Sequence, residues 1–259
     1  MEKISIVISG SGSMGREVFT ATQSAKDIEA LAYLDPLSEL NELDGLPVYQ
    51  DAQSCFAKEQ PQVVIDFTNA AWTPILAKEA LQRNIRLVIG TTGHTETFLK
   101  HLATDSREKG VGVVLAPNFA IGAVLLMSFA KQAAKHFDAA EIIELHHNEK
   151  VDAPSGTAKK TAEQMVDAKG SAFERTSTEN QTIANTRGGE IDGVGLHSIR
   201  LPGLVAHQEI IFGGLGQTLT LRHDSTGRDS FMPGVLAATY AVTSLDKMVT
   251  GLESILGLE

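Results

Sequence analysis

Between Glu144 and Ala158 the chain reads ELHHNEKVDAPSGTA, so two adjacent histidines, a lysine, an aspartate and a Pro-Ser-Gly-Thr turn fall within fifteen positions. Imidazole and ammonium groups side by side serve as proton donors or as contacts for an anion. Ser155 has the chemistry of a helix N-cap, which makes Gly156 and Thr157 the first helical residues, with N–H groups that lack intrahelical partners. A carboxylate can be held there by those N–H groups, the Thr157 hydroxyl and the positive end of the helix dipole. Gly156 carries no side chain to shield the donors. Asp152 reads as a brace for the turn. A metal is not expected, because the histidines have no H-x-x-x-H partner and Cys55 is the only cysteine.

The flanks of this segment say how it must be held. EIIEL before it reads as a strand, and AKKTAEQMVDA after it reads as a helix. Successive side chains on a strand face opposite sides, so His146 and His147 can serve one cavity only if the chain bends there. Lys150, Lys159 and Lys160 with the two histidines form the densest basic cluster, although Lys159 and Lys160 also read as a solvated helix face.

Upstream, the first 118 residues alternate strand and helix patterns. KISIVIS (Lys3 to Ser9), EALAYL (Glu29 to Leu34), QVVIDF (Gln62 to Phe67), IRLVIG (Ile85 to Gly90) and VGVVLA (Val111 to Ala116) are short and apolar. Helical patterns such as Ala71 to Arg83 and Thr95 to Lys109 lie between them. Near-continuous apolar strands separated by helices indicate a doubly wound parallel sheet covered on both faces. From about Ile121 the rhythm changes to a helix (Ala123 to His136), the strand Ala139 to His146 and a polar stretch from Ser171 to Glu190 that reads as a mobile loop. Three strand-like runs follow, Val194 to Leu201, Leu204 to Phe212 and Gln217 to His223, joined by Pro202-Gly203 and Gly213-Gly214 turns. They predict an α+β unit on a mostly antiparallel or mixed sheet. A helical pattern from Asp229, SFMPGVLAATYAVTSLDKMV, closes the chain and is expected to return to the first sheet. The expected class is α/β, with one domain over 1–118 and 228–259 and another over 119–227.

The first strand runs into Gly10-Ser11-Gly12-Ser13-Met14-Gly15, a full G-x-G-x-x-G at the start of a helix. The first glycine permits a tight turn, the second lets backbone approach a pyrophosphate, and the third lets helix pack on strand. A second strand ends at Asp35, where a carboxylate accepts from adenosine ribose hydroxyls. Pro36 follows, and no arginine or lysine stands beside it, so the pocket suits NAD better than NADP. Gly90-Thr91-Thr92-Gly93 and Ala116-Pro117-Asn118-Phe119 lie at two further strand ends, where ligands of open α/β sheets sit. Both are also ordinary turn chemistry. Gly90, Thr91 and Thr92 would let a nicotinamide ribose approach the backbone, and Phe119 would pack near the ring.

Composition narrows the classes. The net charge of −10 argues against nucleic acid, since no broad basic face is available to neutralise phosphates. No apolar run approaches the roughly 20 residues of a membrane span. MEKISIVISGSG runs straight into a strand and a glycine loop rather than a signal sequence. A cytoplasmic enzyme is expected.

The run Glu144-Leu145-His146-His147, then Lys150-Val151-Asp152-Ala153-Pro154-Ser155-Gly156-Thr157-Ala158, resembles the signature of the dihydrodipicolinate reductase (4-hydroxy-tetrahydrodipicolinate reductase) family. The resemblance covers essentially the whole chain and includes the N-terminal glycine loop, Asp66-Phe67-Thr68, Gly90 to Gly93, Ala116 to Phe119 and the terminal helix. It implies a Rossmann-type nucleotide domain and a second domain for substrate binding and oligomerisation. It implies NAD(P)H-dependent reduction of a small cyclic dicarboxylate in lysine and diaminopimelate synthesis, by a cytoplasmic homotetramer joined through the sheet of the second domain. By position, His146 and Lys150 match the proton-transfer residues, and His147, Gly156 and Thr157 the substrate contacts. Ser9, Gly10, Ser11, Gly12, Ser13, Met14, Asp35, Gly90, Thr91, Thr92, Ala116, Pro117, Asn118 and Phe119 match the cofactor contacts, with NADH or NADPH as cofactor and Pro36 a departure that bears on NADPH. Two other readings account for part of the chain. A different two-domain nicotinamide dehydrogenase explains the first 118 residues but not HH-x-x-K followed by PSGTA, and a silent NAD-binding module leaves the histidine–lysine cluster without use.

Overall fold

In the computed structural model, which describes residues 3–258, the chain divides into two compact units at Ile121/Gly122 and again at Gly227/Arg228. The first unit begins with β1 (Ile4–Ser9), α1 (Ser13–Ser24), β2 (Ile28–Leu34), β3 (Glu42–Leu43), β4 (Leu46–Tyr49) and α2 (Ala52–Glu59). It continues through β5 (Val63–Asp66), α3 (Thr73–Gln82), β6 (Arg86–Ile89), α4 (Glu96–Lys109) and β7 (Val113–Leu115). The second contains α5 (Ile121–Ala134, whose first residue belongs to the first unit), β8 (Ala139–His146), α6 (Gly156–Lys169), β9 (Gly189–Ile191), β10 (Val194–Arg200), β11 (Ala206–Gly214) and β12 (Gln217–Ser225). A 3-10 turn at Arg228–Phe231 then leads back into the first unit through α7 (Met232–Val242) and β13 (Met248–Thr250).

The first sheet is ordered β13-β7-β6-β5-β1-β2-β4-β3, and every neighbouring pair is parallel except the β3–β4 hairpin. Strand order reverses between β1 and β5, so the carboxyl ends there form the crevice in which such sheets bind ligands. Alternation along the strands supplies two apolar faces. Val7, Val64, Leu87 and Val113 pack with Phe56 of α2, Leu76 and Leu81 of α3 and Leu102 of α4. α1 and α7 pack on each other, and α7 lies against β5, β6 and β7. The doubly wound arrangement follows from strands apolar on both sides.

The short elements differ from the sequence expectation. Asp44 and Gly45, both at positive φ, turn the β3–β4 hairpin; its strands are too short to display an alternating pattern. The expected terminal helix stops at Val242, and Met248–Thr250 becomes an edge strand parallel to β7. The helix end sits so close to Gly112 that a Cβ there would fall 2.5 Å from the Val242 carbonyl oxygen.

The second sheet is mixed, with order β12-β11-β8-β10-β9. β8 lies at its centre, parallel to β10 and antiparallel to β11. α5 and α6 cover one face, where Leu126, Ala130, Ala162 and Met165 meet Ile142, Leu196, Ile210 and Phe212. Ile143, Leu145, Ile199 and Ile211 alternate onto the opposite face and do not join this core. The polar stretch expected to be a mobile loop is fastened at its base. Phe173 is buried in the core, and Arg175 donates to the Gly189 carbonyl (3.0 Å), the Glu190 carboxylate (2.9 Å) and the Arg187 carbonyl.

Candidate active site

In the first unit the glycine loop closes the end of β1. Gly10 sits at φ +106° and donates its N–H to the Leu34 carbonyl at 2.9 Å, and a Cβ there would fall 2.8 Å from the Phe67 carbonyl oxygen. A Cβ at Gly15 would lie 1.9 Å from the Gly10 carbonyl oxygen, so only glycine lets α1 pack this tightly. At Gly12 a Cβ would meet nothing, which leaves open space over the loop. Gly12 is also the N-cap of α1 and gives no side-chain cap, whereas α2, α4 and α6 are capped by Asp51, Thr95 and Ser155. Donors left free at an open helix start suit a pyrophosphate, so these residues fit the dinucleotide. Ser13 is exposed and Met14 half-buried beside them.

Asp35 lies at the end of β2, joined to the loop. Its Oδ2 accepts from the Ser11 hydroxyl (2.6 Å) and N–H (2.9 Å), and its Oδ1 from the Leu37 N–H (3.0 Å). Burial alone would raise its pKa, but these hydrogen bonds hold the carboxyl below the usual carboxylate range. The group is an ionised acceptor with lone pairs to spare, as ribose hydroxyls require.

Several of the other expected cofactor residues turn their side chains to the scaffold. Ser9 is fully buried and its hydroxyl accepts from Trp72 Nε1 at 3.1 Å. Thr91 is buried; its hydroxyl donates to Asp66 (2.9 Å) and accepts from the Thr68 N–H (2.9 Å). Thr68 and Thr73 also donate to Asp66, each at 2.6 Å. A Cβ at Gly90 would fall 2.0 Å from the Phe67 ring, which itself packs on Phe119 with centroids 5.6 Å apart. Phe119 and Ala116 are buried, Asn118 Oδ1 accepts from the Ala120 N–H at 2.9 Å, and Thr92 and Pro117 are exposed.

In the second unit, β8 ends at His146, whose carbonyl accepts from the Leu201 N–H at 3.1 Å. His147 lies beyond the strand, exposed, and its carbonyl accepts from the Lys150 N–H at 3.2 Å. The chain therefore leaves the strand between the two histidines, which removes the conflict that strict alternation would impose.

Glu144 organises this corner, and the sequence did not single it out. Its buried side chain accepts from His146 Nδ1 (2.5 Å), from both terminal nitrogens of Arg200 (2.8 and 2.7 Å) and from the Ser155 N–H (3.2 Å). Burial would raise its pKa, but the bonds from His146, Arg200 and Ser198 prevail and hold it down to about 2. Arg200 Nη2 also donates to the Asp152 carbonyl at 2.8 Å, and Lys150 Nζ donates to the Asp152 carboxylate at 2.6 Å. The hydrogen bond from Lys150 holds the Asp152 carboxyl below the usual carboxylate range. A continuous network thus ties His146, Lys150 and the start of α6 together. Ser155 caps that helix by accepting from the Ala158 N–H (3.1 Å), Gly156 is exposed with room around it, and Thr157 is half-buried. Arg200, fifty-six residues from Glu144, had no local signal: a lone arginine on a strand declares its partner only once β10 pairs with β8. Among the described residues, no group of three or more histidine, cysteine or acidic side chains could hold a metal ion.

Comparison with known proteins agrees over the whole length. The family model described as dihydrodipicolinate reductase, N-terminus, matches residues 4–119, and the C-terminus model matches residues 122–256. A 4-hydroxy-tetrahydrodipicolinate reductase of Geobacillus kaustophilus (strain HTA426) is 47% identical, covering 98% of this chain and 99% of its own. Its namesake in Bacillus subtilis (strain 168) is 43% identical, covering 98% of each. The solved structure of a dipicolinate-bound dihydrodipicolinate reductase from Paenisporosarcina sp. TG-14 is 40% identical, with a TM-score of 0.90 over 98% of this chain and 99% of that one. The chain belongs to the dihydrodipicolinate reductase family of NAD(P)H-dependent oxidoreductases.

Proposed function

We propose that the protein reduces (2S,4S)-4-hydroxy-2,3,4,5-tetrahydrodipicolinate to tetrahydrodipicolinate, with loss of water, in bacterial lysine and diaminopimelate synthesis. The observation that carries this reading is the Glu144 network, which gathers His146, Lys150 and an open helix start at one corner. A cyclic dicarboxylate needs both an anion cradle and proton donors. Gly156, Thr157 and His147 hold substrate carboxylate, and His146 and Lys150 handle protons. The reaction balances as one hydride and one proton taken up and one water released. When bound, the reduced nicotinamide supplies the hydride. A cation beside the reacting carbon neutralises the charge that hydride addition creates, a contribution of roughly two to four orders of magnitude for general acid catalysis.

The cofactor is NADH or NADPH, held by residues 1–118 and 228–259. Ser9 to Met14, Asp35, Gly90 to Thr92 and Ala116 to Phe119 form its site. Ser9, Thr91, Ala116 and Phe119 contribute backbone or support rather than side-chain polar groups. NADH is favoured, since ionised Asp35 is followed by Pro36 and exposed Leu37 and not by a cation for a 2′-phosphate. Residues 119–227 bind substrate and assemble the protein into a homotetramer through the helix-free face of the second sheet. Its place is the cytoplasm; no described helix is long and apolar enough to cross a membrane. An assay coupled to the upstream synthase, following loss of reduced-cofactor absorbance, tests the reading. Substrate-dependent oxidation is expected, with higher kcat/KM for NADH. No oxidation with either cofactor would sink it, and higher efficiency with NADPH would overturn only the preference.

A further inference from the structure

Glu144 is a residue that the proton chemistry above does not use, yet it is buried and accepts hydrogen bonds from three different residues. Its side chain is 1% exposed and its carboxylate is met by Arg200, Ser155 and His146. Of these partners, Arg200 cannot also reach a ligand with ease. A guanidinium has five N–H donors. Two on Nη1 go to Glu144 and the Ile199 carbonyl, and two on Nη2 go to Glu144 and the Asp152 carbonyl. The remaining Nε is buried without a partner. Arg200 is thus a clamp on Glu144 and on the turn that bears Lys150. His146 is the partner with a second polar atom left over.

We propose that Glu144, clamped by Arg200, is a positioning residue that sets the tautomer and orientation of the His146 ring, so that Nε2 is the nitrogen that carries the transferred proton. The inference rests on the functional reading above for the identity of the reaction. An ionised carboxylate only accepts, so the Nδ1···Oε2 contact places a proton on Nδ1. The neutral ring then offers a bare Nε2, and the charged ring offers an Nε2–H. A proton delivered to substrate leaves Nε2, and the ring that remains is already the tautomer that Glu144 holds. Arg200 on β10, Lys150 and Asp152 on the turn, and the positive start of α6 are the other charges around this pair. Against burial, the hydrogen bonds from His146, Arg200 and Ser198 keep Glu144 ionised.

Kinetics of Glu144→Gln, His146→Gln and the double variant, with melting curves to establish folding, test this. Expected for Glu144→Gln is a fall in kcat of roughly 10- to 100-fold, with KM for NADH unchanged. Because Glu144 acts through His146, the double variant should be no slower than His146→Gln alone. A variant that merely weakened the fold would slow both backgrounds. Since Glu144→Gln leaves the half-buried Arg200 without its charge partner and can fail to fold, a second measurement uses the unaltered protein. Nitrogen-15 NMR of histidine-labelled protein, with the His146 signals assigned by their loss in His146→Gln, should show the proton of the neutral ring on Nδ1. An Nε2–H tautomer, additive losses, or a folded Glu144→Gln variant within about threefold of the parent kcat would overturn the inference. A parent protein inactive with both cofactors would overturn instead the functional reading, and the tautomer, which needs no substrate, would still decide the role of Glu144.

Discussion

Lys150 and Asp152 are joined at 2.6 Å on a turn of the second unit, and the glycine loop belongs to the first. Lys150→Ala is expected to lower kcat by about two orders of magnitude while NADH affinity, measured by calorimetric titration, stays the same. Loss of NADH binding would mean the lysine belongs to the nucleotide site. The carboxyl of Glu144 carries a different consequence. Its folded pKa of about 2 lies below the ordinary 4.5, so its ionised form stabilises the fold in full above about pH 4.5, and that stabilisation is lost as pH falls toward about 2. Urea melts of Glu144→Gln over that range should show a flatter acid loss than the parent. A slope equal to the parent's would assign the acid sensitivity to other carboxylates. His146, Lys150, Gly156 and Thr157 could be singled out as candidates in the sequence because they fall within one run of twelve residues. Glu144 stood in the same run without a visible role, and Arg200 was beyond reach.

The glycine loop separates two kinds of need for glycine. A Cβ at Gly15 meets the Gly10 carbonyl oxygen at 1.9 Å, and backbone on both sides cannot yield, whereas a Cβ at Gly12 meets open space. Gly15→Ala is therefore expected to lower the melting temperature and NADH affinity together. Gly12→Ala should keep the melting temperature and lose NADH affinity by roughly tenfold or more, because only the ligand's approach is blocked. Fluorescence titration with reduced cofactor and thermal melts check both; a Gly12→Ala protein that binds NADH normally would remove the loop from the nucleotide site. β1, α4 and the β8–α6 pair were legible from their period, and the four-residue β5 and β6 from apolar-rich runs set between helical patterns. β3, β4 and β13 span two to four residues, and no period can be read from so few. The Ser171 to Glu190 stretch looked mobile from its polarity alone, but Arg175 finds carbonyls and a carboxylate that composition does not reveal.

For the whole molecule, the net charge of −10 makes local concentration of positive groups a condition of binding an anion. In the second unit the charge of Arg200 is met by Glu144 and that of Lys150 by Asp152, which leaves the open α6 start as the unneutralised positive end. The second sheet has helices on one face only, and Ile143, Leu145, Ile199 and Ile211 lie on the other, the face through which the proposed tetramer is joined. Ile199→Asp places a charge on that face, away from Glu144 and His146. Sedimentation should show a tetramer for the parent and a smaller species for the variant, with NADH affinity retained. An unchanged tetramer would move the interface elsewhere.

What the sequence determined by itself was everything carried by neighbours along the chain. That covers the glycine loop with Asp35 twenty residues on, the strand–corner–helix from Glu144 to Ala158, and the switch from parallel to mixed sheet near Ile121. Which strands lie side by side was settled by folding, and with that the Glu144–Arg200 clamp, the use of Ser9 and Thr91 as internal supports, and the end of β8 between the two histidines. The physical reason is range. Helix caps, turns and periodicity act within a few residues, while an ion pair between β8 and β10 exists only after a register has been chosen between residues fifty-six positions apart.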